Sequence, residues 1–248
     1  MTQLFDGHTV LITGGASGIG FATAEQLAQQ GATIVLMDRD DNVTTALIRL
    51  PGHGHRALVA DVTDETAVET AISGLCAELP ITDVVAAAGI VSQTPLLQLS
   101  SAEFRKVLDV NVLGVHHVLS SVARNMVEHG LTGSFVVMGS AAAFNGGGLM
   151  GKGGYSASKA ALNGLVRSYA RELGAQGIRT NLIAPAATET PMTATLSDEQ
   201  RATITAGSPL GRFLTQDEIV AAIEFLVTDR ASAVNGQTIH VNGGLYFA

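Results

Sequence analysis

Tryptophan is absent from this 248-residue chain, aromatic residues are few, and there is a single cysteine, Cys76. One cysteine excludes an intramolecular disulfide. Cys76 closes the apolar helical stretch Ile72-Ser73-Gly74-Leu75-Cys76, where a small buried residue is expected rather than a nucleophile. No apolar run reaches the roughly 18–20 residues that a membrane-spanning helix needs. No basic, apolar leader follows Met1: Thr2 and Gln3 are polar and a strand pattern begins by His8, so a cytoplasmic location is expected. Basic residues are scarce and scattered, and the formal net charge is −8. That balance removes the electrostatic footprint for nucleic acid and for anionic membranes. Metal-ligand patterns are missing too. His116 and His117 are neighbours that point in different directions on a helix, and His53 and His55 flank a glycine without partner ligands; no metal site is expected.

What the chain does have is glycine, 28 residues of it, which suits close helix–sheet packing and loops where backbone approaches a ligand. At this length roughly 70–75% of the unfolded surface can be buried, so no covalent staple is required. Short continuous apolar runs recur at 10–12, 33–37, 57–60, 84–88, 135–138, 181–184 and 238–241. Continuous rather than alternating runs predict parallel strands covered on both faces. Helical patterns lie between them, at about 18–30, 64–79, 101–129, 155–175 and 215–228. This alternation predicts a single-domain, Rossmann-like α/β fold: a doubly wound parallel sheet of about seven strands with helices on both faces. No linker or repeat divides residues 1–248. Two stretches break the rhythm. Asn145–Gly154 is glycine-rich and reads as a loop; 186–212 is a long connection with one weak helix, and reads as a substrate lid.

The first strand runs into Thr13-Gly14-Gly15-Ala16-Ser17-Gly18-Ile19-Gly20, which opens the first helix. Glycines there allow a tight turn, and the helix N-terminus offers free N–H groups to a pyrophosphate. Gly14, Ser17, Gly18, Ile19 and Gly20 are the expected contacts. Asp38 ends the second strand, where a carboxylate accepts from ribose hydroxyls and repels a 2′-phosphate. NAD is therefore expected over NADP, although the adjacent Arg39 keeps the phosphate alternative open. Asp61 closes the third strand and can accept from an adenine amino group; Gly89 follows the fourth, at the edge where the switch-point rule puts ligands.

Tyr155 and Lys159 sit four apart, on one helix face. Carbonyl reduction needs an acid and alcohol oxidation a base. A tyrosine titrating near 10 must be shifted to act as a base near neutrality, and a neighbouring ammonium is expected to lower it. Ser140, at the end of the fifth strand, can hold the substrate oxygen.

These motifs together resemble the short-chain dehydrogenase/reductase family, in its single-domain branch, over essentially the whole chain. Thr13–Gly20 is similar to the family's TGxxxGxG loop, and Asp61-Val62 to its adenine motif. Asn111, in Asp109-Val110-Asn111-Val112-Leu113-Gly114, matches the active-site asparagine. The resemblance implies a tetrad of Asn111, Ser140, Tyr155 and Lys159, with Asn111 helping to hold a relay water and Lys159 also holding the nicotinamide ribose. It implies nicotinamide contacts along Pro185, Thr188 and Thr190, a C-terminal signature at Asn242-Gly243-Gly244, and a homotetramer. Small residues Ala157, Ala160, Ala161 and Gly164 would permit its helix packing. There are departures. The usual Asn-Asn-Ala-Gly reads Ala86-Ala87-Ala88-Gly89, Pro185 is followed by Ala186, Thr188 replaces a branched apolar residue, and Ser140 and Tyr155 are about two positions further apart than usual. Ser17 stands where NADP-preferring members often carry a basic residue.

The expected substrate contacts are Ser140, Ala142, Tyr155 and Met192, with Phe144, Leu149, Met150 and Leu196 as further walls. Their apolar bias predicts hydride transfer between NAD(H) and a secondary alcohol or ketone with a hydrophobic substituent. Carrier-protein reductases of the family tend to be basic where this chain has Ser134 and Gln176, so an acidic carrier is not expected. Two other classes compete. Sugar-nucleotide epimerases share the Tyr/Lys pair but have a longer substrate domain. A non-catalytic redox sensor needs a broken tetrad, and here all four residues are present.

Overall fold

A computed structural model describes residues 3–149 and 151–247. The first half contains β1 (Thr9–Thr13), α1 (Gly18–Gln29), β2 (Thr33–Asp38), α2 (Asn42–Ile48), β3 (Arg56–Val59), α3 (Glu65–Cys76) and β4 (Asp83–Ala86). After β4 come α4 (Ser101–Leu108), a π-turn (Asp109–Leu113), α5 (Gly114–Glu128) and β5 (Gly133–Met138). The rest is α6 (Ala142–Asn145), α7 (Gly153–Leu173), β6 (Ile178–Pro185), α8 (Asp198–Ala206), α9 (Gln216–Val227) and β7 (Thr238–Val241). All seven strands join one parallel sheet in the order β3-β2-β1-β4-β5-β6-β7.

The continuous apolar runs have the expected cause. β1, β4 and most of β5 are buried along their length, because alternate side chains enter two separate cores. On one face Leu11, Val84 and Phe135 pack with α3, α5 and α7; on the other Val10, Ile12, Val85 and Val136 pack with α1 and α9. Cys76 is buried in the first core.

Several features differ from the sequence pattern, among them the four-residue helix α6. α2 is additional, a short helix that buries only Val43 and Ala46, too few positions to show a period. The pattern at 101–129 is broken at Asp109–Leu113 by the π-turn. The helix expected at 155–175 starts at Gly153, which puts Tyr155 inside the first turn. The chain runs outward from β1 to β3, then returns to β4 on the other side of β1. Loops after β1 and β4 therefore diverge and leave a crevice at the carboxyl edge.

Candidate active site

A cleft of about 730 Å³ occupies that crevice, and residues from every strand-end loop from β1 to β6 line it. In its first half, Gly14 and Gly18 have φ of +64° and +55°, a region side chains disfavour. A Cβ on Gly20 would lie 2.3 Å from the Gly14 carbonyl oxygen, so the start of α1 is pressed against the loop. Ser17 caps α1 without a side-chain hydrogen bond, and the first turn carries no acid. The first-turn N–H groups thus have no side-chain acceptor of their own, which fits a dinucleotide's pyrophosphate.

Asp38 is oriented at the mouth of this loop, its carboxylate accepting from the Arg39 N–H (2.9 Å) and the Ala16 N–H (3.4 Å). The Arg39 guanidinium turns instead to Asp40, at 3.5 Å, with most of its side chain in solvent. Asp61 accepts through one oxygen from both the N–H and the hydroxyl of Thr63; the Thr63 N–H above all holds its carboxyl below the ordinary value. The apolar Ala86–Ala88 run has a polar support from elsewhere: the Ala88 N–H donates to Thr13 Oγ1 at 3.1 Å.

The second half is built by β5 and α7. Ser140 Oγ accepts from the Ala142 N–H at 3.1 Å, which leaves its own hydrogen to donate. Tyr155 lies against Gly151, where a Cβ would come within 2.3 Å of the ring. Lys159 is buried and donates to the Met138 carbonyl at 2.6 Å; its Nζ lies 5.9 Å from the Tyr155 ring centre.

This geometry corrects the expected electrostatics. Burial pushes the Tyr155 phenol up, opposed only by the Ser140 hydroxyl. Lys159 is itself lowered by burial to about 8. The protein alone therefore holds Tyr155 protonated rather than poised as phenolate.

Asn111 is also placed differently from expectation. It is fully buried within the π-turn, outside the cleft lining. Its Oδ1 accepts from the Ile90 N–H (2.8 Å), and its amide donates to the Ile90 carbonyl and Ser158 Oγ, both at 2.9 Å. Both amide hydrogens are thus committed to the protein, while Oδ1 keeps a second lone pair. The side chain staples the loop after β4 to α7. Gly89 lies in that staple: a Cβ there would be 3.2 Å from Asn111 Oδ1 and 3.5 Å from Lys159 Nζ.

Every expected cofactor residue lines the cleft: Gly14, Ser17, Gly18, Ile19, Gly20, Asp38, Asp61, Val62, Ala88, Gly89, Tyr155, Lys159, Pro185, Thr188 and Thr190. So do Ser140, Ala142, Leu149 and Met192. Met150 falls outside the described residues. Phe144 and Leu196 are not in the lining; Phe144 turns away to pack on His240 and Tyr246, with ring centres 4.6 and 5.1 Å apart. Their places are taken by Ile204 of α8 and Leu245 beyond β7. A face of α8 with a single isoleucine and a residue after the last strand leave no periodic trace to read.

Ser134 is buried and donates to the Leu226 carbonyl, so its identity says nothing about docking a carrier. His116 pairs with the Tyr169 hydroxyl and His117 with the Val62 carbonyl. Among the described residues no cluster of metal-ligating side chains forms, and no helix is long and apolar enough to cross a membrane.

Comparison with known proteins adds four relationships. A family model described as enoyl-(acyl carrier protein) reductase matches residues 14–246. The chain is 37% identical to the 3-oxoacyl-(acyl-carrier-protein) reductase of Escherichia coli over 246 residues, 98% of each chain. It is 37% identical over 248 residues to the cis-4-hydroxycyclohexanecarboxylate dehydrogenase of Sinomonas cyclohexanicum, again 98% of each. Among solved structures it resembles a gluconate 5-dehydrogenase from Burkholderia cenocepacia in complex with NADP and tartrate. That match has 31% identity and a TM-score of 0.92, over 98% of this chain and 97% of that one.

Proposed function

The chain belongs to the short-chain dehydrogenase/reductase family, which makes it a nicotinamide-linked oxidoreductase, and from that premise we propose that it interconverts a secondary alcohol and a ketone with Tyr155 as the proton-transfer residue. The observation that carries this reading is the convergence of Ser140, Tyr155 and buried Lys159 in the same cleft as the open N-terminus of α1.

In the reducing direction the Ser140 hydroxyl donates to the carbonyl oxygen, and the protonated Tyr155 phenol gives that oxygen its proton as the C–O bond becomes an alcohol. A bound nicotinamide supplies the hydride to carbon, or takes it in reverse. Lys159, anchored on the Met138 carbonyl, stabilises the phenolate left behind. Oxidation needs Tyr155 as base, against the upward push of burial; the positive charge of an oxidised nicotinamide would offset that push. Asn111 acts as a positioning residue through its staple rather than by touching substrate.

NAD is the proposed cofactor. Asp38 at the end of β2 would repel a 2′-phosphate bound beside it, at a cost of several kcal/mol, and Arg39 pairs with Asp40. That the similar gluconate 5-dehydrogenase was seen with NADP makes this a point to measure. The relatives are named for a carrier-linked acyl group, a ring carboxylate and a sugar acid; this diversity leaves the substrate to be read from the pocket. We also propose that 186–212 is a lid and that the chain is a homotetramer. Ala157, Ala160, Ala161 and Gly164 are exposed on α7 rather than packed on the sheet, so they are open to a partner helix.

The test is steady-state oxidation of secondary alcohols with NAD⁺ and NADP⁺ by the parent and by Tyr155→Phe. Turnover should fall about 10²–10⁴-fold in the variant with cofactor affinity unchanged, and NAD⁺ should be favoured about tenfold or more in kcat/KM. Turnover that survives the substitution would remove Tyr155 from the chemistry. Cofactor binding with no turnover in either protein would favour the redox-sensor reading.

A further inference from the structure

The substrate end of the cleft is polar in composition but short of side-chain donors. Among the described lining residues beyond Ser140 and Tyr155, most hydroxyls near the lid already give their hydrogen to the protein backbone; Thr190 pairs only with Thr193 Oγ1, at 3.5 Å. Thr193 donates within its own turn, to the Thr188 carbonyl at 2.8 Å or the Thr190 carbonyl at 3.0 Å. Thr203 donates to the Glu199 carbonyl at 2.9 Å and Ser208 to the Gly243 carbonyl at 3.3 Å. Asn242 donates to the Tyr246 carbonyl and accepts from the Gly244 N–H. A hydroxyl carries one hydrogen, so what these hydroxyls still offer a ligand is acceptor capacity. Asn145 adds a neutral amide at most, its Oδ1 accepting from the Gly147 N–H.

Cations are committed in the same way. Arg212 reaches the lining, but both of its terminal nitrogens bond the Glu218 carboxylate, at 2.9 and 2.6 Å. Lys159 is buried and bonded to Met138. Arg39 lies at the far end, beside Asp40. The first turn of α8 adds Asp198 and Glu199, in a chain of net charge −8. The larger apolar side chains in this part of the lining are Leu149, Met192, Ile204 and Leu245.

We propose that this pocket takes an uncharged carbonyl compound or secondary alcohol whose reacting oxygen is its one strongly bonded polar group, and that it discriminates against substrates carrying a carboxylate. This rests on the oxidoreductase reading above and adds the substrate class. The physical reason is asymmetric. A ligand hydroxyl can donate to the acceptor lone pairs that Thr193, Thr203 and Ser208 retain, so extra hydroxyls are weakly penalised. A carboxylate only accepts, and among the described lining residues it meets no unpaired cation, only the neutral amides of Asn145 and Asn242.

The test separates charge from shape and does not depend on turnover. The enzyme loaded with NADH, or with NADPH if that binds better, is titrated calorimetrically with 4-hydroxycyclohexanecarboxylate and with its methyl ester. An alcohol cannot react with a reduced cofactor, so binding alone is read. The ester should bind at least about tenfold more tightly. The acid binding equally or better, or neither compound binding, would overturn the proposal. Met192→Arg, at a half-exposed lid position, should narrow or reverse the gap; an unchanged gap would show that charge is not the discriminator. Preference for the ester without turnover of any alcohol would count against the proposed reaction and leave the pocket's selectivity standing.

Discussion

Ser158 never touches the cleft, yet its hydroxyl donates to the Tyr155 carbonyl at 2.7 Å and accepts from Asn111 at 2.9 Å. One fully buried oxygen thus links the π-turn to the helix turn that carries the proton-transfer residue. Ser158→Ala would leave an Asn111 N–H unpaired in the core, a penalty of about 1–3 kcal/mol, and would loosen Tyr155. We expect kcat to fall roughly ten- to a hundredfold while cofactor affinity holds, as read from steady-state kinetics and a binding titration. Unaltered kcat would mean that Tyr155 is fixed by Gly151 and the sheet alone. Tyr155, Lys159 and Ser140 were legible as residues because their spacing and strand-end position are local. Their titration was not: the upward shift of Tyr155 and the downward shift of Lys159 both come from desolvation, which depends on what the rest of the chain covers.

Among the elements, α8 stands apart. It buries none of its residues and is held by its own capping box, Ser197 with Gln200, and by Arg201, which pairs with Glu189 and lies over the Phe213 ring. By contrast α9, also capped by a box, buries Ile219, Val220, Ile223, Leu226 and Val227. The connection containing α8 comes close to the cofactor half at Pro191, which lies 4.0 Å from where a Cβ on Gly18 would be. Elements with few buried contacts open at low free energy. Amide hydrogen exchange across Asp198–Ala206 should therefore be faster than in β5, β6 or α9, and should slow when cofactor and an alcohol are added. Exchange as slow as that of α9 in the unliganded protein would argue for a fixed wall instead of a lid. The strands were readable in advance because burial on both faces leaves unbroken apolar runs. The π-turn was not, because apolar residues continue through it and only the hydrogen-bond register changes.

For the whole molecule, half-buried His8 and buried Lys159 give stability opposite pH slopes. The hydrogen bond to buried Asp83 raises the His8 imidazole above 6.5, so its contribution is full below that value and is lost as pH rises through the raised one. Lys159 is lowered from 10.5 to about 8. Its burial is unfavourable below 8, and that penalty, about 3 kcal/mol, is relieved as pH rises from 8 toward 10.5. Thermal unfolding of Lys159→Met should show a higher Tm than the parent at neutral pH, with the gain shrinking on the alkaline side; His8→Gln should flatten the fall above pH 6.5. A Lys159→Met protein less stable at neutral pH would mean that the bond to Met138 outweighs desolvation. Sedimentation velocity tests the proposed assembly at the same scale, and a monomer would leave the small residues of α7 without a partner.

The order of strands and helices, the glycine turn and the positions of Ser140, Tyr155 and Lys159 follow from local pattern: backbone sterics, periodicity and spacing act over a few residues and are written into them. Three-dimensional packing decided the rest. It turned Phe144 away from the pocket and brought Ile204 and Leu245 into it, buried Ser134, closed Asn111 onto Ile90 and Ser158, and committed the lid's hydroxyls to backbone carbonyls. Apart from the short-range bonds within the lid, each of these depends on which distant segment fills a volume or supplies an acceptor, and contacts between segments tens of residues apart leave no signature in either partner alone.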